Sequence, residues 1–445
     1  MGENARRVEA IGTSATADII TISMINKANR ITLKRIQFIK LLVFFFMLSI
    51  GFIIGETLFS LMVETDADNN VWYRSRLLRP YHAPVMATKK NVDEYLASTN
   101  SFCIYDPLLG WCNNPSFRSE DGNYCHDMHG IRTADSINYT INKEPNTLRI
   151  ALLGDSYIYG AEVNFENTIG CFLEKILREN NIDAEVLNFG VGAYGIDQAY
   201  LCWEKTAYKF EPDIVIFGFQ PENVARNVNL IRALYSKKEA LPFFKPRFVL
   251  DGKTITLINA PTPIPDSLPA KLKNMAAWNL SKHETFYNPD DYMDSFWLKS
   301  KIVSYGLDLL AENRFNIYEN ERPFYSLENE PSNLTLKIID RLRREVQANG
   351  ADFFIMHIPR NLDINVLLND ESLSYEYLYK QLMSENNVIH PESELIKAAK
   401  LHSTNSLYAP SQHYSKKGNF IIATETAKVI IKALAEKKKT RENAS

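Results

Sequence analysis

Three polar side chains at the ends of predicted elements have the types needed for nucleophilic chemistry at a carbonyl carbon. Ser156 follows the apolar segment LRIALLGD, Asn223 follows DIVIFGFQPE, and His413 stands just before a predicted C-terminal helix. A serine hydroxyl is a weak nucleophile that needs a neighbouring base, and His413 could be that base. The tetrahedral intermediate needs hydrogen-bond donors, which the Ser156 amide and the Asn223 side chain could supply. Because Gly, Asp and Ser also favour turns, the segment GDS alone does not separate a turn from a nucleophile.

The segments around these residues predict the layout that would bring them together. Strand-like runs, LRIALLG, AEVLNFG, DIVIFGF and DFFIMHIP, alternate with helical patterns such as NTIGCFLEKILREN and LKIIDRLRREVQANG. This alternation predicts a parallel, flavodoxin-like sheet in a three-layer α/β/α sandwich. Ligands of such folds bind at the carboxyl ends of the strands, where Ser156 and Asn223 would lie. At about residues 229–332 an insertion with a predicted hairpin, RFVLDGKTITLI, interrupts the alternation, either as a lid or platform or as a small separate core.

Four sequence blocks together resemble the SGNH (GDSL-like) hydrolase family. They are GDSYIYGAEVNFENTIGCFLEKIL, VLNFGVGAYGIDQ, GFQPEN and PSQHYSKKGN, and the likeness covers roughly residues 105 to 435. The lead-in YDPLLGW…HGIRT is similar to that of membrane-anchored members. The resemblance implies Ser156 as nucleophile, His413 as base, and an oxyanion hole formed by the amides of Ser156 and of Gly192 or Ala193 with the Asn223 side chain. It also implies a serine esterase or O-acyltransferase, whose acyl ester substrate we expect to be linked to a carbohydrate or cell-envelope polymer.

The chain departs from the family pattern at two places. Ala193, preceded by Gly192, stands where the second block has a glycine, and its amide can serve if the backbone angle φ is allowed. The last block of the family carries an Asp two or three residues before the histidine, and here Ser411 and Pro410 occupy those positions. His413 would then be oriented by a backbone carbonyl, by Ser411 or by a distant acid. Without any of these, the alternative is a catalytically impaired pseudoenzyme or a carbohydrate-binding module that keeps the fold.

One apolar segment, LLVFFFMLSIGFIIGETLFSLMV, predicts a transmembrane helix over residues 41–63 with Glu56 as its single charge. The cations before it are Lys27, Arg30, Lys34, Arg35 and Lys40. The positive-inside rule therefore predicts a cytoplasmic tail (1–40) and a periplasmic or extracellular main domain (146–440), joined by a connecting and lead-in segment (64–145). A cleaved signal peptide and a buried core helix are the alternatives, and the length of the run and its flanks favour the anchor.

Other features argue against further partners. The net charge of −3 over 445 residues gives no electrostatic support for a nucleic-acid partner. The segment GVGAYG matches G-x-G-x-x-G, but Asp213 precedes the third strand instead of following the second, so no nucleotide cofactor is predicted. His126 and His129 lie in a loop-like segment without a clear set of partner ligands, so no metal is predicted either.

Overall fold

The computed structural model describes residues 3–74, 76–135, 137–236, 241–310 and 322–444. Parts of the predicted insertion (237–240 and 311–321) and the first two residues of the predicted tail lie outside the described residues. The strands are β1 (Glu64–Thr65), β2 (Val71–Tyr73), β3 (Arg76–Leu78), β4 (Cys103–Asp106), β5 (Gly110–Asn113), β6 (Cys125–His126), β7 (Arg132–Thr133), β8 (Leu148–Leu153), β9 (Ala184–Asn188), β10 (Ile214–Phe219), β11 (Arg247–Asp251), β12 (Thr254–Ile258), β13 (Asp352–His357) and β14 (Asn387–Ile389). The α-helices are α1 (Glu3–Ser60), α2 (Val85–Ala97), α3 (Ser156–Tyr159), α4 (Ile169–Glu179), α5 (Ile196–Lys205), α6 (Asn223–Arg226), α7 (Arg232–Tyr235), α8 (Leu268–Lys273), α9 (Lys301–Leu310), α10 (Arg322–Tyr325), α11 (Glu330–Ala348), α12 (Asn361–Leu368), α13 (Glu376–Glu385), α14 (Glu392–His402) and α15 (Lys416–Ala444).

Two compact units divide the chain. The first consists of Met1–Tyr81 with Met293–Glu312, and the second of His82–Tyr292 with Asn313–Ser445. One stretch of the predicted insertion therefore belongs to the same unit as the predicted transmembrane helix. The division into tail, membrane helix, lead-in and main domain that the sequence suggests stays a prediction.

The first unit contains the long apolar helix. Among the described residues, α1 is the one helix long and apolar enough to cross a membrane. The candidate span is Ser23–Ser60, and an 18-residue stretch within it has a mean hydropathy of 2.4. From Glu3 onwards the predicted tail is part of this same helix, which ends at Ser60, before the predicted end at Val63. Strands β1, β2 and β3 form a small antiparallel sheet directly after it.

The second unit is built on a seven-stranded sheet with the strand order β14-β13-β10-β8-β9-β7-β6. The first five of these strands are parallel. Numbered along the chain, the parallel strands lie in the order 2-1-3-4-5, which is the flavodoxin-like order. The predicted parallel, flavodoxin-like sheet is therefore confirmed.

Alternating side chains of the central strand β8 enter two separate cores. Ile150 and Leu152 pack in one core with α4, α14 and α15, whereas Ala151 and Leu153 pack in the other with α5, α11 and α13. Both faces of the strand are buried because each face carries a layer of helices, as in parallel sheets generally. The result is the predicted three-layer α/β/α sandwich.

The lead-in and the insertion both contain paired β-strands, although the turn-rich sequence of the lead-in predicts an irregular segment. Within the lead-in, β6 and β7 extend the sheet with antiparallel pairing beyond β9, and β4 and β5 form a separate hairpin. These strands could not be recognised in the sequence, because each strand has only two to four residues and turn-forming residues surround it. The hairpin predicted in the insertion is confirmed as β11 and β12, with Gly252 at its turn in the left-handed region (φ 58°).

Candidate active site

Ser156 is the first residue of α3, the short helix that follows β8. The Asp155 carboxylate caps this helix by accepting a hydrogen bond from the Tyr157 amide over 2.9 Å. Gly154 makes the sharp strand-to-helix change possible, because a Cβ atom there would lie 2.5 Å from Cγ1 of Ile158. The segment GDS is thus a turn that Asp155 stabilises, and this turn leaves Ser156 at the carboxyl edge of the sheet.

The three strand ends named in the sequence lie side by side at that edge, because β8 is flanked by β9 and β10. The amide of Val191, after β9, donates to the carbonyl of Gly154 over 3.2 Å. The side-chain amide of Asn223, after β10, donates to Asp155 Oδ2 over 3.0 Å. Ser156 and Asn223 follow β8 and β10, the pair of strands at which the order of a flavodoxin-like sheet reverses and ligands commonly bind.

His413 lies next to Ser156, although 257 positions separate them in the chain. Its Nε2 atom is 2.9 Å from Ser156 Oγ, and its Nδ1 atom is 2.9 Å from Oε2 of Glu162. A carboxylate only accepts hydrogen bonds, so the proton of a neutral His413 sits on Nδ1 and Nε2 is left to accept the hydroxyl proton of Ser156. Of the three ways to orient His413 left open by the sequence, the structure contains the distant acid.

Glu162 is the residue that the sequence analysis missed. It lies six residues after Ser156 in the first block, with a left-handed backbone (φ 67°) that the loop after α3 imposes. Its carboxylate also accepts the backbone amides of Ser411 over 2.7 Å and of His413 over 3.2 Å. Burial acts to raise the pKa of Glu162, but these N–H donors and the His413 side chain outweigh it and lower the pKa below its usual value. Glu162 therefore stays an anion beside the imidazole.

Tyr157, next to Ser156 in the chain, also fixes the loop that carries His413. The Tyr157 hydroxyl donates to the carbonyl of Gln412 over 2.9 Å, and the Tyr157 ring lies 5.0 Å from the His413 ring. The amide of Ala409 donates to the carbonyl of His413. Ser411 contributes its backbone amide to Glu162.

The loop after β9 presents two backbone amides. Trp111 Nε1 donates to the Gly192 carbonyl over 2.9 Å, which fixes the peptide that links Gly192 to Ala193. Ala193 adopts a left-handed conformation (φ 63°), which is unfavourable for alanine by about 1–2 kcal/mol. No hydrogen bond from either amide to a described protein acceptor is found, so both could bind a ligand oxygen.

Arg226 fixes the side-chain amide of Asn223. Its Nη1 atom donates to Asn223 Oδ1 over 2.8 Å and to the Tyr194 carbonyl over 3.1 Å, while Nη2 pairs with Glu222 at 3.0 Å. The oxygen of the Asn223 amide must face the guanidinium, so Nδ2 faces Asp155 and has a second N–H to offer. Burial opposes the charge of Arg226, but Glu222 and other neighbours outweigh it and raise its pKa. Arg226 therefore remains a cation in this buried position.

Two other histidines, His126 and His357, have structural partners. His126 is buried between the Asn114 carbonyl and the Tyr159 hydroxyl, each 2.9 Å from a ring nitrogen, and burial lowers its pKa to about 4. His357, at the end of β13, contacts Glu392 and the Tyr375 hydroxyl. Within the described part of the chain, no group of three or more His, Cys, Asp or Glu residues could hold a metal ion.

No protein-family model matches the chain, and no curated protein matches it by sequence. Solved structures similar to it include a lipolytic protein of the G-D-S-L family from Veillonella parvula, at 10% identity and a TM-score of 0.32, covering 63% of this chain and 97% of that one. The acetylxylan esterase Axe2 from Geobacillus stearothermophilus is 11% identical with a TM-score of 0.33, over 63% of this chain and 92% of its own. The hydrolase LAE5 from the Lake Arreo metagenome has the same identity and TM-score, over 62% and 92%.

Proposed function

We propose that the chain is a serine ester hydrolase or O-acyltransferase of the SGNH type. In this proposal Ser156 is the nucleophile, His413 the general base and Glu162 the acid that orients the base. One observation carries the proposal: the hydrogen-bonded series from Ser156 Oγ through both ring nitrogens of His413 to Glu162. Such a series, with the base held by a third group, is how proteins activate a weak serine nucleophile.

The reaction follows from these contacts. As Ser156 Oγ attacks the acyl carbonyl carbon, its proton moves to His413 Nε2, and Glu162 stabilises the imidazolium that forms. The amides of Ser156 and of Gly192 or Ala193, with Asn223 Nδ2, would donate to the oxyanion. The intermediate then expels the alcohol, which takes the proton from His413, and an acyl-serine remains. A second hydroxyl compound, activated by His413, accepts the acyl group: water in an esterase, an alcohol of the acceptor in a transferase.

The alternative of a pseudoenzyme or carbohydrate-binding module was motivated by the missing acid beside His413. Glu162 removes that motive, because it provides the carboxylate at Nδ1 from a different part of the chain. The contact between Glu162 and His413 therefore favours an enzyme over a binding module, and the experiment below distinguishes the two.

We further propose that α1 anchors the enzyme in a membrane, with the second unit on the periplasmic or extracellular side. The support is the length and composition of α1 together with the cations that precede its most apolar part. An anchored enzyme is suited to substrates attached to or near the cell surface, so we propose an acylated carbohydrate or cell-envelope polymer as the substrate class.

The full chain in lipid nanodiscs provides the test. We expect a fluorophosphonate probe to label the protein and short-chain esters to be turned over, and Ser156→Ala to abolish both. Ser384→Ala, at an exposed position on α13, is the matched control and should keep full activity. Acetylated oligosaccharides offered with and without a sugar acceptor distinguish release of acetate from its transfer. A folded protein that binds polysaccharide but neither labels nor turns over any of these esters would contradict the enzyme proposal.

A further inference from the structure

Exposed apolar side chains lie on both sides of one contact in the first unit, where the end of α1 meets α9. On the α1 side, Leu61 and Met62 are 80% and 57% exposed. On the other side, Phe296 and Trp297, just before α9, are 77% and 69% exposed, and Leu310 at its end is 85% exposed. Large apolar side chains that are exposed together commonly mark a surface that binds a partner or a membrane.

Glu56 connects these two segments. Its carboxylate accepts hydrogen bonds from Ser300 Oγ over 2.7 Å and from the amides of Lys301 and Ile302 over 2.7 and 3.1 Å. It therefore caps the first turn of α9, whose amides would otherwise lack acceptors. The Phe59 and Tyr305 rings, 5.4 Å apart, extend the contact by one further turn. The single charge in the apolar segment thus holds α9 at the level of residues 56–59.

The length of α1 determines the depth of that level in a bilayer. From Lys40 to Ser60 the helix rises about 30 Å, which is the thickness of a typical hydrocarbon core. If Lys40 lies at the inner boundary, Ser60 lies at the outer one, and Glu56 is about 6 Å inside Ser60. The residues that donate to Glu56 must lie at that same depth, so the start of α9 is at the membrane surface and not in bulk water.

We propose that residues 293–310 lie in the outer lipid–water interface of the bilayer that α1 spans, with Phe296 and Trp297 among the lipids. Aromatic side chains of this kind are enriched at membrane interfaces. Lys299 and Lys301, on either side of the contact with Glu56, can keep their ammonium groups at the headgroups. This inference rests on the proposed anchor, and it gives part of the insertion a lipid partner.

The experiment measures the depth of Trp297 in the full chain, reconstituted in phosphatidylcholine vesicles with bromine on the acyl chains. Bromolipids quench tryptophan fluorescence only at close range, so we expect quenching in the wild type and loss of much of it in Trp297→Phe. Trp278→Phe is the matched control, because Trp278 is only 7% exposed and lies in the second unit. We expect that variant to keep the quenching of the wild type, and both variants to turn over a water-soluble ester normally.

Two results would overturn the proposal. Bromolipid quenching that is equal in the wild type and in Trp297→Phe would place Trp297 away from lipid. Quenching of Trp297 by aqueous iodide in place of bromolipid would show that the side chain faces water, so that its surface would be free to bind a protein partner but not lipid. Extraction with alkaline carbonate separates these results from a failure of the anchor, because a protein without a membrane-spanning helix is released by that treatment whatever Trp297 does.

Discussion

In the proposed catalytic site, the carboxylate beside His413 belongs to Glu162, which lies 251 positions away in the chain. The imidazole needs an anion at Nδ1, and the chemistry does not depend on which loop provides it. Here the loop after α3 provides it, and the left-handed backbone at Glu162 accompanies a side chain that reaches back to the loop of His413. Two amides of that loop also bind the carboxylate, so the same residue orients the histidine and fixes the loop.

Replacing Glu162 should therefore slow catalysis far more than it disturbs binding. Glu162→Gln keeps the size of the side chain but removes the charge that stabilises the imidazolium. We expect kcat to fall by roughly 10²- to 10⁴-fold, the upper value being that found for loss of this role in serine proteases. Glu166→Gln, an exposed position four residues further on, is the control. Steady-state kinetics on a soluble ester, with KM reported separately, measures both.

A second substitution tests whether the charge at Nδ1 is what matters. Ser411→Asp places a carboxylate two residues before His413, in the same loop. We expect this substitution to restore part of the activity of Glu162→Gln while adding nothing to the wild type.

The pH dependence of stability gives an independent test of the charge on Glu162. Because the pKa of Glu162 is lowered by folding, its contribution to the free energy of unfolding is present above the ordinary pKa and is lost as pH falls through the lowered one. The stability of Glu162→Gln should approach that of the wild type on acidification.

Arg226 should act as a positioning residue for the oxyanion site. Arg226→Lys keeps a cation near Asp155 and Glu222 but cannot reproduce the fork of bonds to Asn223 Oδ1 and the Tyr194 carbonyl. We expect kcat to fall by up to roughly 10²-fold with little change in KM, because a misplaced oxyanion donor weakens only the transition state. The affinity for a boronate inhibitor that mimics the tetrahedral intermediate should fall by a factor similar to the fall in kcat. Arg344→Met, at an exposed position on α11, is the control. A loss of activity in Arg226→Lys that is fully accounted for by a loss of thermal stability would indicate a purely structural role.

At the scale of elements, the sequence predicts those parts of the fold that have a long regular period. Strands β8, β9, β10 and β13 are short segments made up mostly of apolar residues, and α4, α5, α11 and α15 carry apolar residues at helical spacing, so all were predictable. The strands of the lead-in were not, since each pairs over only a few residues. Ser156, Asn223 and His413 could be named because strand ends and family blocks mark them. Glu162 could not, because its role depends on a contact across 251 positions.

Gly190 should control how closely the second strand end approaches α3. A Cβ atom at Gly190 would overlap the backbone nitrogen of Tyr159, whereas one at Gly192 would meet nothing within 4 Å. Gly190→Ala must then displace α3 and with it Ser156. We expect a loss of about 1–3 kcal/mol of stability, as for other overpacked cores. Thermal unfolding should show no comparable loss for Gly192→Ala, and equal stability of the two variants would contradict the close approach.

At the scale of the whole molecule, the local distribution of hydropathy along the chain says more than the overall composition does. A net charge of −3 and 45% hydrophobic residues describe an ordinary globular protein. The average conceals α1, whose most apolar stretch has no buried residue in the described part of the chain. A core helix of a soluble protein would be buried, so this exposure favours the anchor over the core helix among the alternatives that the sequence leaves open.

The orientation of that anchor is the last prediction. Five cations lie within residues 27–40 before the apolar run. The nearest three beyond it, Arg74, Arg76 and Arg79, are separated from Ser60 by more than ten residues. Because cations next to a spanning helix resist translocation, the N-terminus should stay in the cytoplasm. An alkaline phosphatase domain fused after residue 100, which is active only outside the cytoplasm, should therefore be active. Replacing Lys27, Arg30, Lys34 and Arg35 by Gln should lower that activity by reversing part of the population. Gln at Lys89 and Lys90, two exposed positions beyond the apolar run that the fusion retains, should not. If both sets of substitutions leave the phosphatase activity unchanged, these cations do not determine the orientation. An inactive phosphatase in the unsubstituted fusion would place the proposed catalytic site inside the cell.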